Sequence, residues 1–196
     1  MGVNVKKSVL FSLLLVLTLN CNAGQTTGLT IKDAVPDLSL LDDNKKEFNF
    51  AKQTKDTVVV FFRGFWWPIC IEQLKGLESK LTSKLKENQQ VIAVSSTQLN
   101  VTQKMKKKHK FSLPILSDPQ AKSLLAFRIA NKLDDKTVHK YKNSYKIDVE
   151  AAAGEKHHLI AHPAVYVIRG GKIVFADVHT NYKKRTSVSD ILKALK

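Results

Sequence analysis

Five apolar residues in a row, Val58-Val59-Val60-Phe61-Phe62, run into an Arg63-Gly64 pair, and beyond it the apolar residues change period. A β-branched and aromatic run without alternation suits a strand buried on both faces. After Pro68, which a first helical turn accepts readily, Ile71, Leu74, Leu77, Leu81 and Leu85 recur at three- and four-residue steps and predict a helix to about Lys86. A buried strand feeding a helix points to an α/β architecture with helices on both faces of the sheet.

The rest of the chain extends this order. Asp37 to Phe50 alternates around an Asp-Asp-Asn-Lys turn and predicts an N-terminal extension hairpin. Val91 to Ser96 reads as a second short buried strand, and Leu99 to Lys110 as a helix with Asn100 or Thr102 near its start. A brief strand in Leu113 to Gln120 precedes a helix in Ala121 to Ala130, and a long polar insertion, helical or irregular, spans residues 131–158. Ala164 to Val178 is two strands about Gly170-Gly171, a tight hairpin signal. The chain closes on an amphipathic helix from Ser187 to Lys196. A βαβ half followed by a ββα half is the thioredoxin-like layout, a mixed central sheet with helices on both faces.

Residues 1–23 read as an address. Lys6 and Lys7 precede an apolar run from Val9 to Leu19, too short to span a bilayer comfortably, and small and polar residues follow. Cleavage after Ala23 predicts an exported protein, periplasmic or secreted, with one domain over residues 24–196. The alternative is a lipoprotein anchored through Cys21, although Asn20 precedes that cysteine where a small residue is usual. In either case Cys70 is the one thiol left, so no internal disulfide framework is expected.

The chain carries 32 Lys and Arg against 17 Asp and Glu, a net +15, with a dense run from Lys104 to Lys110. That run is a solvated helix face or a surface for an anionic partner such as the cell envelope. Nucleic acid is not expected, because the aromatic and basic strand pattern of single-strand binders is missing.

Cys70 falls in the first turn of the helix after Pro68. Free backbone N–H groups and the helix dipole converge there and favour a thiolate, and cysteines so placed can have a pKa lowered from ~8.5 into the ~3.5–7.5 range. Arg63, seven residues upstream, adds a positive charge.

At this point a resemblance becomes specific. Arg63 to Leu74, RGFWWPICIEQL, is similar to the R-G-x-W-C-P-x-C-x-x-Q-L signature of peroxiredoxin-like proteins in the AhpC/TSA branch of the thioredoxin superfamily. Ile115 to Ile129 resembles their Leu-Ser-Asp-Pro segment, and His162 to Leu195 their hairpin, Asp-Tyr-Thr-Arg-Arg stretch and last helix. The resemblance implies the thioredoxin fold and thiol-based peroxide reduction. It also shows departures. Trp67 stands where the first cysteine of the CxxC lies, and where peroxiredoxins proper have their threonine. Arg63 stands at their proline, and their later arginine falls at or beside Pro163. Dithiol exchange within the domain is thereby excluded. What remains is a one-cysteine scheme, in which Cys70 attacks a peroxide and an external thiol or thioredoxin-like reductant restores it. The alternative is a redox-inactive binding or scaffold protein of the envelope. Neither reading calls for a cofactor.

Supporting roles come from the C-terminal half. Pro163 resembles the cis-proline beside thioredoxin-fold sites, and His162 before it would face Cys70 as an imidazolium. Tyr182 and Arg185 match the Asp-Tyr-Thr-Arg-Arg stretch, with Asn181 in place of its aspartate. Trp66 and Trp67 form either an apolar lip to the site or ordinary packing over the helix start. His157, His158 and His162 do not form a metal set: His158 and His162 stand about 13 Å apart in extended chain, with no acid or cysteine at ligand spacing.

Overall fold

The computed structural model describes residues 27–196, and the predicted signal segment with Cys21 lies outside the described residues. The apolar run forms the middle of the sheet, β3 (Asp56–Phe61), beside β4 (Gln89–Ser95) and, beyond it, β5 (Ile115–Ser117), all parallel. On the other side β3 pairs antiparallel with β8 (Ala164–Arg169), and β8 with β9 (Lys172–Val178) around Gly170-Gly171, both at positive φ. The predicted hairpin, β1 (Ser39–Asp42) and β2 (Glu47–Asn49), joins the same sheet by pairing β1 with β5. The order is β2-β1-β5-β4-β3-β8-β9, a mixed thioredoxin-like sheet.

Alternate side chains of β3 go to different cores, which is why the run is apolar without a break. Val58 and Val60, followed by Phe62, pack under α1 (Pro68–Lys80) and α6 (Val188–Ala194), meeting Leu74, Leu77, Ile191 and Leu195. Val59 and Phe61 face the other way, onto Phe50, Phe127 and Tyr166. Each buried side chain of this kind contributes about 1.5–3 kcal/mol relative to exposure, so both faces are sealed.

The long insertion is more ordered than its composition predicts. It holds α4 (Asp135–Ser144), capped by the Asp134 carboxylate on the Thr137 N–H, and α5 (Val149–Ala153), capped likewise by Asp148 on Ala151. A two-stranded sheet frames them: β6 (Ala130–Lys132) pairs with β7 (Leu159–Ala161) across the insertion. Leu133, Val149 and Ile160 make a small core of their own, and Val138, Tyr141 and Trp66 pack on it. The insertion is thereby fixed against the strand-to-helix turn that carries Cys70. Two helix predictions shrink. α1 stops at Lys80 and gives way to a 3-10 turn, and Ala121 to Ala130 holds only α3 (Lys122–Ala126), its last residue going to β6. α2 (Leu99–His109) matches its prediction. No helix among the described residues is long and apolar enough to cross a membrane.

Candidate active site

The turn between β3 and α1 is built from glycine and aromatic residues. Gly64 sits at φ +151°, and a Cβ there would meet the Trp66 indole nitrogen at 2.3 Å. Only glycine lets Trp66 fold back over its own backbone. Trp67 is the residue before the helix, and its carbonyl accepts from the Cys70 N–H at 2.9 Å. Pro68 opens α1 and is exposed, so its role is to set the turn. Cys70 then points inward and is fully buried.

The sulfur has an arginine against it. Arg185 Nη2 donates to Cys70 Sγ at 3.3 Å, while Nη1 donates to the Tyr182 and Lys184 carbonyls, both at 2.6 Å. The guanidinium is thus held by its own loop with one edge on the thiol. The arginine comes from the segment just before α6.

Arg63 stands behind, only 6% exposed. Its guanidinium lies 5.9 Å from the Trp67 ring centre and 5.2 Å from that of Tyr182, within cation–π range. Burial, above all, lowers the Arg63 pKa from its ordinary value and Arg185 adds to this, while Tyr141 and Cys70 work the other way. The side chain remains a cation in any case.

An aromatic cover closes the site. Trp67 stacks on Tyr141 with ring centres 6.2 Å apart and 19° between planes, and meets Trp66 at 5.8 Å and Tyr182 at 5.5 Å edge-on. Tyr141, on α4, also touches Trp66 at 5.9 Å. Tyr141 was not among the sequence candidates. Its signal was the apolar spacing Val138, Tyr141, Tyr145 within a polar insertion.

Two expectations need correction. Every described peptide bond is trans, that before Pro163 included. Pro163 is buried and its carbonyl accepts from the His179 N–H at 2.9 Å, so the segment is held by strand-like pairing instead. The imidazolium expected at His162 is disfavoured by its surroundings. Burial first and the Arg63 charge second lower its pKa from the ordinary imidazole value, against its contact with the His179 backbone.

The histidines of the insertion go to separate partners. His157 Nε2 lies 2.7 Å from the Pro119 carbonyl. His158 does have carboxylates near it, Glu150 at 2.8 Å and Asp135 at 3.4 Å, and this pairing ties both insertion helices to the start of β7. Asp118 of the Leu-Ser-Asp-Pro segment is structural. Its buried carboxylate accepts from the Lys122 and Ser123 N–H groups at 2.9 and 2.8 Å and so starts α3.

A lone thiol in the first helical turn after the central parallel strand, on a sheet of this order, makes the chain a thioredoxin-fold protein. Its family is also shown: the AhpC/TSA family profile matches residues 31–176, and the chain belongs to that family. Among solved structures it is similar to peroxidoxin BcpB from Mycobacterium tuberculosis, at 16% identity and a TM-score of 0.61 over 84% of this chain and 93% of that one. It is similar to Xanthomonas campestris peroxiredoxin Q, at 17% identity and 0.63 over 87% and 97%. Enterococcus faecalis AhpC aligns at 15% identity and 0.62 over 84% and 89%. No curated protein matches the sequence.

Proposed function

We propose that the protein is a one-cysteine thiol peroxidase in which Cys70 is the nucleophile. The observation that carries this reading is the Arg185 guanidinium donating to Sγ at 3.3 Å in the first turn of α1. The sulfur attacks one peroxide oxygen, the O–O bond breaks, and the departing oxygen takes a proton to leave as water or alcohol. Cys70 is then a sulfenic acid. An external thiol condenses with it, releasing water, and a second thiol frees Cys70 as a disulfide leaves. Membership of the AhpC/TSA family supports this chemistry. Arg185 supplies the charge at sulfur, Arg63 reinforces it, and Trp66, Trp67 and Tyr182 exclude water.

The test uses the full chain with Cys21→Ser, so that Cys70 is the sole thiol. One equivalent of hydrogen peroxide is added and sulfenic acid is trapped with dimedone, followed by intact mass. Rapid adduct formation that disappears in Cys70→Ser supports the reading. A thiol no faster than free cysteine sinks peroxide catalysis with this substrate.

The full burial of Cys70 under Trp67 and Tyr182 favours a second reading, a binding protein of the envelope in which the thiol is inert. Residues 1–23 are read as directing export, which sequencing of the mature N-terminus checks. The exposed Lys104, Lys107, Lys108 and Lys110 around α2 offer the surface for an anionic envelope. Co-sedimentation with anionic against neutral vesicles tests that surface.

A further inference from the structure

The two guanidiniums around Cys70 have fewer anions than they need. Neither Arg63 nor Arg185 forms an ion pair with a carboxylate among the described residues, and residues 1–26 contain no Asp or Glu. Arg63 Nε, Arg185 Nε and Trp67 Nε1 are all buried without a hydrogen-bond partner. Buried cations and buried donors are costly unless paired. A Cys70 thiolate balances one positive charge. The faces of Trp67 and Tyr182 offset the other only in part, and they leave the two Nε–H groups unserved.

We infer that Arg63 and Arg185 form a subsite for an anionic group beside the thiol, and that the substrate class is a small hydroperoxide carrying a carboxylate close to its peroxide. This rests on the reading of Cys70 as the reactive centre and adds what that centre selects. The carboxylate takes the unserved N–H groups, and charge-assisted bonds to guanidinium are among the strongest available. The thiolate attacks the terminal peroxide oxygen, the S–O bond of the sulfenic acid forms as O–O breaks, and the carbon-bound oxygen takes a proton from solvent and leaves as the hydroxy acid. The anion enters by displacing the exposed Tyr182–Lys184 segment, whose carbonyls hold Arg185.

Alkylation tests the subsite without any peroxide. Iodoacetate and iodoacetamide both lose iodide to a thiolate as an S–C bond forms, and they differ in one negative charge. In the full chain carrying Cys21→Ser, the iodoacetate-to-iodoacetamide rate ratio should exceed that of glutathione by about tenfold, the factor expected of a single charge-assisted contact. Arg63→Lys should keep most of that preference, and Arg63→Gln should lose it. A ratio equal to that of glutathione overturns the inference, as does a ratio that survives in Arg63→Gln. A thiol that neither reagent modifies in a day also overturns it, since the subsite would be closed to anions. If Arg63→Gln does not fold, acetate against chloride at equal ionic strength decides. Acetate slows iodoacetamide at wild-type Cys70 if the subsite exists, and leaves it unchanged if not. Anion selectivity without peroxide reduction removes the peroxidase reading and keeps the subsite, and the reverse result removes the subsite alone.

Discussion

Arg185 reaches across 115 positions of sequence to place Nη2 3.3 Å from the sulfur of Cys70. The arginine comes from the exposed loop before α6 and the cysteine from the helix after the central strand. The sheet brings them together because β3 lies next to β8 and β8 next to β9, whose end feeds that loop. The contact is therefore a product of topology, and it is the first place to cut.

Arg185→Gln is expected to slow sulfenic acid formation at Cys70 by about 10²-fold, the usual cost of removing one charge-stabilising donor from a reacting centre. Arg185→Lys restores part of the rate, because the charge returns without the planar fork. Stopped-flow tryptophan emission, with Trp67 as the nearby reporter, gives the rate. An unchanged rate would leave Arg185 as a wall of the site and nothing more.

Tyr141 joins the insertion to the site. Tyr141→Ala removes the stacked partner of Trp67 and an edge contact to Trp66. Aromatic pairs contribute about 0.5–1.5 kcal/mol beyond burial, so a stability loss of about 1–2 kcal/mol in urea is expected. Local opening should rise with it, and Cys70 should react with iodoacetamide about tenfold faster at a cost of that size. A protein that loses stability while its thiol stays equally slow would show that α4 is not the cover.

The parts of the fold that were legible are those whose signal is local. β3 showed itself because both faces of one strand need apolar residues, and β8–β9 because a two-glycine turn meets positive φ at both positions. The β6–β7 pair was not legible, since its partners are separated by the whole insertion and carry no turn signal between them. The end of α1 was misplaced because Leu81 and Leu85 continue the apolar spacing. In the structure Leu81 caps the helix and Thr82 bonds to the Glu78 carbonyl, ending it in a 3-10 turn. At the site, Cys70 and its helix could be read from spacing, while Tyr141 and the burial of His162 depend on packing that no short window contains.

Trp67 stands just before α1 with Cys70 three residues on, the spacing of a CxxC pair. Trp67→Cys is expected to convert the one-thiol centre into a dithiol. On mild oxidation of the Cys21→Ser background, the chain should lose about 2 Da as an internal disulfide, and dithiothreitol should reverse it. The indole lost from the cover costs stability, so folding is checked by circular dichroism. Formation of only intermolecular dimers would mean that the backbone of this turn does not let the two sulfurs meet.

His162 gives the pH dependence its sign. Its pKa is lowered in the fold by burial and by Arg63, so the folded protein binds that proton less well than the unfolded chain, whose imidazole titrates near 6.5. Above that value both states carry a neutral ring and the residue is silent. As pH falls below it, the unfolded chain takes up the proton first, and stability drops until the folded ring is protonated as well. His109 adds in the same direction through burial, Lys108 and Lys75. The urea midpoint of the wild type should therefore fall between pH 7 and pH 5.5. His162→Asn should flatten part of that slope and His109→Gln another part, while both variants keep the slope of acid unfolding at lower pH that the carboxylates cause. The Asp33, Asp134, Asp148 and Asp190 side chains, all with lowered pKa through hydrogen bonds, set that lower limb. A wild-type midpoint that stays level down to pH 5.5 would place His162 in contact with solvent and uncouple it from Arg63.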